Sequence, residues 1–165
     1  MRTASLAKVL IVLGATVAPA LAAGGDTGVA RMATCQDSWL DWKTSDPAKL
    51  QAFAAQFGSG YTQGADGQFL VPKSPQTLAG LRITQVFPES VGMGVGFSVA
   101  VDAPFDATRK RVETLLGKKL GKCEASDGMR SCELELAPQR TVSVTAGDDP
   151  KSHTTLVGCF YLYEK

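Results

Sequence analysis

Four cysteines are the residues of this 165-residue chain with the most definite chemistry. A cysteine can bind a metal, attack as a nucleophile or form a disulfide, and the compartment decides which use is favoured. Structural zinc sites contain cysteine pairs spaced C-x2–4-C, and no two cysteines here are that close. All of them follow a segment with the pattern of an export signal, so disulfides are favoured over metal binding. They are Cys35, Cys123, Cys132 and Cys159.

The dipeptide Asp127-Gly128 predicts how the cysteines pair. Asp-Gly favours a two-residue hairpin turn because both central positions need a positive φ. Counting outwards from this turn, Cys123 faces Cys132. The two residues fall on a non-hydrogen-bonded pair, with Cα atoms about 4.5 Å apart, which is within the disulfide range. The remaining cysteines, Cys35 and Cys159, then form a second disulfide.

The first residues of the chain have the pattern of a secretory signal peptide. Arg2 and Lys8 precede an apolar run at residues 9–17, and Ala20-Leu21-Ala22 supplies the small residues that signal peptidase recognises. The apolar run is shorter than the about 20 residues that span a bilayer. We therefore predict a signal peptide at residues 1–23, cleaved near Ala22 or Ala23, and a periplasmic or secreted protein without a transmembrane anchor.

The net charge of the mature chain does not indicate nucleic-acid binding. Cleavage would remove two of the 17 basic residues and leave 15 against 16 acidic ones, which shifts the formal net charge from +1 to −1. A nearly neutral exported protein lacks the basic balance typical of nucleic-acid binding. No motif indicates a cofactor, since the glycines at residues 92–96 lack the spacing and the strand-to-helix turn of a dinucleotide fingerprint.

One segment is nevertheless locally basic. Residues 109–122 contain six basic residues and a single acid, Glu113. Such a segment could bind an anionic surface: a lipid headgroup, a cell-wall polymer or an acidic protein face. A solvated helix face followed by a basic helix end is the alternative. The candidate binding residues are Arg109, Lys110, Arg111, Lys118, Lys119 and Lys122.

His153 is the only histidine and the only candidate for acid–base catalysis. Asp148 and Asp149 are close in sequence and Tyr161 and Tyr163 could be close in space, so a general base could form there. A solvated turn before a strand explains the same residues. No serine lies in a G-x-S-x-G elbow, so we predict no catalytic residue.

Hydrophobic periodicity and turn residues predict the elements that position these side chains. After a flexible leader at 24–33, residues 34–165 form one domain. Helices are predicted at 35–42, where Cys35, Trp39 and Trp42 share a face, at 47–57, and at 105–116 between Pro104 and Gly117. Strands are predicted at 68–71, 81–87, 92–101, 120–124, 130–136, 140–146 and 155–163.

The strand at 92–101 has the clearest pattern. Bulky apolar residues occupy one of its faces and small residues the other, so a helix, another sheet or a partner could approach the small face closely. The last strand is apolar on both faces, which predicts a central position. Together these features predict a single α+β domain, in which an antiparallel sheet of six or seven strands packs its apolar face against two or three helices.

These features favour a non-enzymatic binding protein of the cell envelope, an interaction or inhibitor module whose partner is a protein or an anionic envelope component. A carrier of an apolar small molecule or lipid is the first alternative, with Met93, Phe97, Phe160 and the two tryptophans lining a cavity. A hydrolase that uses His153 is the second. A cavity above about 300 Å³ would favour the carrier, and a cleft holding His153 beside a carboxylate would favour the enzyme.

Overall fold

A computed structural model describes residues 28–37, 55, 57–65, 67–91, 94–149 and 151–162. Its helices are α1, Gly28–Ala33, and α2, Phe105–Leu116. The predicted signal peptide, Trp39, Trp42 and most of the helix predicted at 47–57 lie outside the described residues. The nine strands are β1 Tyr61–Gln63, β2 Leu70–Pro72, β3 Thr77–Leu78, β4 Leu81–Val91, β5 Gly94–Asp102, β6 Lys122–Ser126, β7 Met129–Ala137, β8 Arg140–Gly147 and β9 Thr154–Leu162.

All strand pairs are antiparallel, and eight of the nine strands follow one path, β1-β2-β4-β5-β9-β8-β7-β6. Strand β3 pairs with β4 beside this path. Strand β9 lies between β5 and β8, which confirms the predicted central position of the last strand. It joins two groups of strands, β1–β5 and β6–β8, that follow each other along the chain.

The predicted fold class, six or seven strands against two or three helices, is wrong. The described residues form nine strands and two helices, of which α1 has only six residues. Strands β1 and β3 have three and two residues, too short to produce a recognisable alternating pattern. The described part of the chain is therefore mainly an antiparallel sheet, with one helix of twelve residues and one of six.

The helix predicted at 35–42 does not include residues 35–37, which form a turn and a bend, and a helix that was not predicted precedes them. Helix α1 occupies Gly28–Ala33, within the predicted leader, and its buried residues include Val29 and Met32. Cys35 has a φ of 56° and ends the helical conformation, because a left-handed residue cannot continue a right-handed helix. Residues 38–42 lie outside the described part of the chain.

Both helices pack on one face of the sheet, which we call the helix face. Phe97, Val99 and Val101 of β5 point to this face and have no exposed surface. Cys159 of β9 is the cross-strand partner of Phe97, and a disulfide joins it to Cys35, just after α1. The bulky face of β5 is therefore buried, as its pattern predicted.

The small residues of β5 are covered by a side chain of the same sheet. The ring of Phe160 lies over Gly96 and Gly158, where an added Cβ would come within 2.3 Å and 2.7 Å of ring carbons. Only glycine fits at such distances, and Ser98 beside them is buried as well. At Gly96 the close neighbour is therefore the Phe160 ring of the adjacent strand β9, and not a helix, another sheet or a partner.

Candidate anion-binding surface on helix α2

Helix α2 has the predicted bounds because its ends are defined locally. It starts after Pro104 and ends where Gly117 adopts a left-handed φ of 63°. The backbone N–H of Gly117 donates to the Thr114 carbonyl, and that of Lys118 donates to the Glu113 carbonyl. This is the Schellman pattern, which satisfies the last carbonyls of a helix. The chain then turns back, so residues after Gly117 return to the helix surface.

The helix separates the three consecutive basic residues of the candidate set. Successive residues of an α-helix are rotated by about 100°, so Arg109, Lys110 and Arg111 point in different directions. Arg109 is half-buried and faces the β6–β7 hairpin, whereas Lys110 and Arg111 are exposed. The segment at 109–122 is therefore not one continuous patch.

The turn at Gly117 brings three of the lysines together. Lys110, Lys118 and Lys119 line a surface depression of about 280 Å³, together with Glu113, Thr114 and Gly117. The Lys119 ammonium forms a 2.9 Å ion pair with Glu113. Within the described part of the chain, Lys110 and Lys118 form no ion pair. We call the solvent-facing side of this depression, formed by Lys110, Lys118 and Lys119, the basic surface.

Glu113, the acid inside the basic segment, anchors this turn. Its side chain is 10% exposed, and its carboxylate accepts hydrogen bonds from the Lys119 ammonium and from the Leu120 backbone N–H, at 2.9 and 3.1 Å. The hydrogen bond from Lys119 is the main reason why the pKa of Glu113 lies below its usual value, and burial opposes it. The carboxylate therefore holds the basic surface in shape in its ionised form.

Glu113→Gln is expected to lower the free energy of unfolding by about 1–2 kcal/mol at pH 7, because the variant loses a charged acceptor. A carboxylate whose pKa is lowered on folding stabilises fully above its unfolded pKa, about 4.3, and this contribution is lost as pH falls through the folded pKa. Urea unfolding of both proteins at neutral and acid pH measures the effect. The two curves should converge in acid, and an equal difference at every pH would contradict the assignment.

Both predicted disulfides are present. Cys35–Cys159 and Cys123–Cys132 have Cα–Cα distances of 5.2 and 4.0 Å, and all four cysteines are paired. Cys123 and Cys132 face each other across β6 and β7, as counting outwards from the Asp127-Gly128 turn predicts.

An arginine cluster lies beside the hairpin disulfide. Arg109 and Arg130 both approach Asp106, at 3.8 and 3.7 Å. The Arg130 guanidinium lies 4.5 Å from the centre of the Phe105 ring, a cation–π contact. Arg109 Nη1 lies 4.0 Å from Cys123 Sγ. Two guanidiniums thus share one carboxylate, which leaves an excess of positive charge next to a sulfur.

Arg130 belongs to this cluster but was not among the candidate residues predicted from the sequence. It precedes Cys132 by two residues and therefore lies on the same face of β7. The hairpin register could have placed it on the face of the disulfide, but not beside helix α2. The last candidate, Lys122, begins the edge strand β6 and pairs with Glu133 of β7.

The loop around His153 has the features of a solvated turn. His153 is exposed. The Asp149 carboxylate accepts a 2.9 Å hydrogen bond from the Lys151 backbone N–H, and the Asp149 carbonyl accepts one from Ser152. Among the described residues, no carboxylate forms an ion pair or hydrogen bond with the histidine ring. Asp149 thus stabilises the turn.

Phe97 and Phe160, two side chains proposed to line a carrier cavity, lie on opposite faces of the sheet. Phe97 is buried on the helix face, with its ring centre 6.0 Å from that of Phe57. Phe160 covers Gly96 and Gly158 on the other face. These two aromatic residues cannot line a single cavity. The Met93 side chain and both tryptophans lie outside the described residues.

No helix in the described part of the chain is long and apolar enough to cross a membrane. Comparison with protein-family models, with curated proteins and with solved structures finds no match for this chain.

Proposed function

We propose that this protein is an exported, disulfide-stabilised, non-enzymatic binding protein that holds an anionic envelope component on the basic surface of helix α2. The observation that carries the proposal is the convergence of Lys110 and Lys118 in one depression, where neither has an acidic partner among the described residues. The signal-peptide pattern and the two disulfides support an extracytoplasmic site of action.

The charge distribution supports an anionic partner. Residues 105–130 contain seven basic and four acidic residues, in a chain whose formal net charge is +1. The positive excess is thus concentrated around α2 and the β6–β7 hairpin. Lysine ammonium groups are compact, strongly hydrated charges on flexible stems, which suits contact with many phosphates of a surface or a polymer rather than one shaped ligand.

Binding of the purified protein to anionic probes tests the proposal. The probes are phosphatidylcholine vesicles with and without phosphatidylglycerol, and soluble polyphosphate. We expect binding to at least one anionic probe, none to pure phosphatidylcholine, and weaker binding as salt is raised. Binding to vesicles alone would indicate a lipid headgroup, and binding to polyphosphate as well would indicate phosphate in either form. Absence of binding to both anionic probes would overturn the proposal.

A charge-matched pair of variants locates the surface. Lys110→Gln/Lys118→Gln is expected to weaken binding about 30-fold, since each cation near an anionic surface contributes about 1 kcal/mol. Lys73→Gln/Lys151→Gln removes the same charge at two other exposed positions. This control should retain most of the affinity. Equal losses in the two variants would show that net charge alone, and not this surface, governs binding.

A further inference from the structure

The two disulfides differ in their access to solvent. Cys35 and Cys159 are 3% and 0% exposed, in the core between α1 and β9. Cys123, in contrast, is exposed on β6, which among the described strands pairs only with β7, while Cys132 is 1% exposed. Exchange requires a thiolate to reach a disulfide sulfur. Only the hairpin disulfide has an exposed cysteine for such an attack.

The electrostatic surroundings of the two disulfides also favour reaction at Cys123–Cys132. Arg109 Nη1 is 4.0 Å from Cys123 Sγ, and Arg109 and Arg130 share the carboxylate of Asp106. A neighbouring guanidinium favours a thiolate over a thiol. Cys35 Sγ instead lies 3.7 Å from the Thr141 carbonyl oxygen, whose partial negative charge disfavours a thiolate. Release of Cys123 during reduction therefore produces a thiolate beside a cation.

We propose that Cys123–Cys132 is a thiol-exchange site that reacts with an external thiol reductant, whereas Cys35–Cys159 is a permanent cross-link. An incoming thiolate attacks Cys123 Sγ, the S–S bond breaks, and its electron pair remains on Cys132 Sγ. A second external thiolate attacks the sulfur of the reductant in the mixed disulfide and releases Cys123. Two external thiols are thus oxidised to one disulfide, and their two protons pass to the protein cysteines or to solvent. This inference does not depend on the proposed anionic partner.

The fold can tolerate this opening. The hairpin disulfide joins residues nine apart, against 124 for the other disulfide, so it restricts the unfolded chain far less. The β6–β7 register is also held by five residue pairs and by the Asp127-Gly128 turn. Reduction breaks the covalent link between β6 and β7 and leaves the pairing of the central strands unchanged.

Reaction of the native full-length protein with reduced glutathione, followed by alkylation and peptide mapping, tests the proposal. We expect Cys123 and Cys132 to be alkylated at least about tenfold faster than Cys35 and Cys159. Alkylation of all four cysteines in the same molecules would overturn the proposal, because exchange would then proceed through unfolding. So would a lack of reaction without denaturant.

The role of the guanidinium has its own test. Arg109→Gln is expected to slow the second step, the release of Cys123 from the mixed disulfide, about threefold, because the departing Cys123 thiolate loses its neighbouring charge. Arg111→Gln removes the same charge from an exposed position on another side of α2 and should leave the rate unchanged. Equal rates in wild type and Arg109→Gln would overturn the electrostatic part of the proposal.

Discussion

Replacing Cys35 and Cys159 by alanine is expected to lower the free energy of unfolding by about 5 kcal/mol, more than any other change that we predict. The disulfide joins residues 124 apart, and the entropy that a cross-link removes from the unfolded chain grows with the length of the closed loop. A loss of this size approaches the whole stability of many domains. The cross-link therefore decides whether the fold persists.

Urea unfolding of the double variant measures this loss. The m-value should rise as well, because the unfolded chain without the cross-link exposes more surface. Cys123→Ala/Cys132→Ala is the matched control, since its short loop predicts a loss of about 2.7 kcal/mol. If the control lost as much as the Cys35/Cys159 variant, loop length would not be the cause.

Phe97→Ala is expected to lower the free energy of unfolding by about 3–5 kcal/mol, because it leaves a cavity at the centre of the core. Phe97 has no exposed surface, lies on the central strand β5 and packs its ring against Phe57. Its cross-strand partner is Cys159. The cavity would therefore open beneath the core disulfide, where the cross-link restricts collapse of the surrounding residues.

Two variants separate the lost volume from other effects of the substitution. Phe97→Leu keeps most of the apolar volume and should cost no more than about 1.5 kcal/mol. Met129→Ala removes a large apolar side chain that is 45% exposed and should change stability by less than about 0.5 kcal/mol. A loss for Phe97→Ala no larger than that for Met129→Ala would contradict the buried position of Phe97.

Features with local causes could be predicted from the sequence. Pro104 and Gly117 define the two ends of α2, and Asp127-Gly128 defines the hairpin turn. From that turn the hairpin register, and with it Cys123–Cys132, follows by counting residues, and Cys35–Cys159 then follows because these two cysteines remain. No contact distant in sequence is needed for any of these steps, which explains why they agree with the structure.

Features set by contacts between residues distant in sequence could not be predicted in this way. The spacing of Cys35, Trp39 and Trp42 predicts a helix that begins at Cys35, yet Cys35 has a positive φ and is fixed by its bond to Cys159. The two tryptophans lie outside the described residues. In the site, Arg130 comes from β7 and joins Arg109 of α2 only through the packing of the helix on the sheet. In the sequence, Glu113 is the single acid of a basic segment. It accepts hydrogen bonds from Lys119 and Leu120 only because the chain returns to the helix after Gly117.

The central position of β9 has a consequence for the order in which the sheet is completed. Strand β9 follows every other strand in the chain, yet it pairs with β5 on one side and β8 on the other. Until it is in place, both of these strands have an open edge and the two halves of the sheet are separate, a topology rich in contacts between distant residues. Cys159 lies on β9, so it can meet Cys35 in the native arrangement only after this insertion. The native Cys35–Cys159 disulfide therefore forms only in molecules in which β9 has entered the sheet.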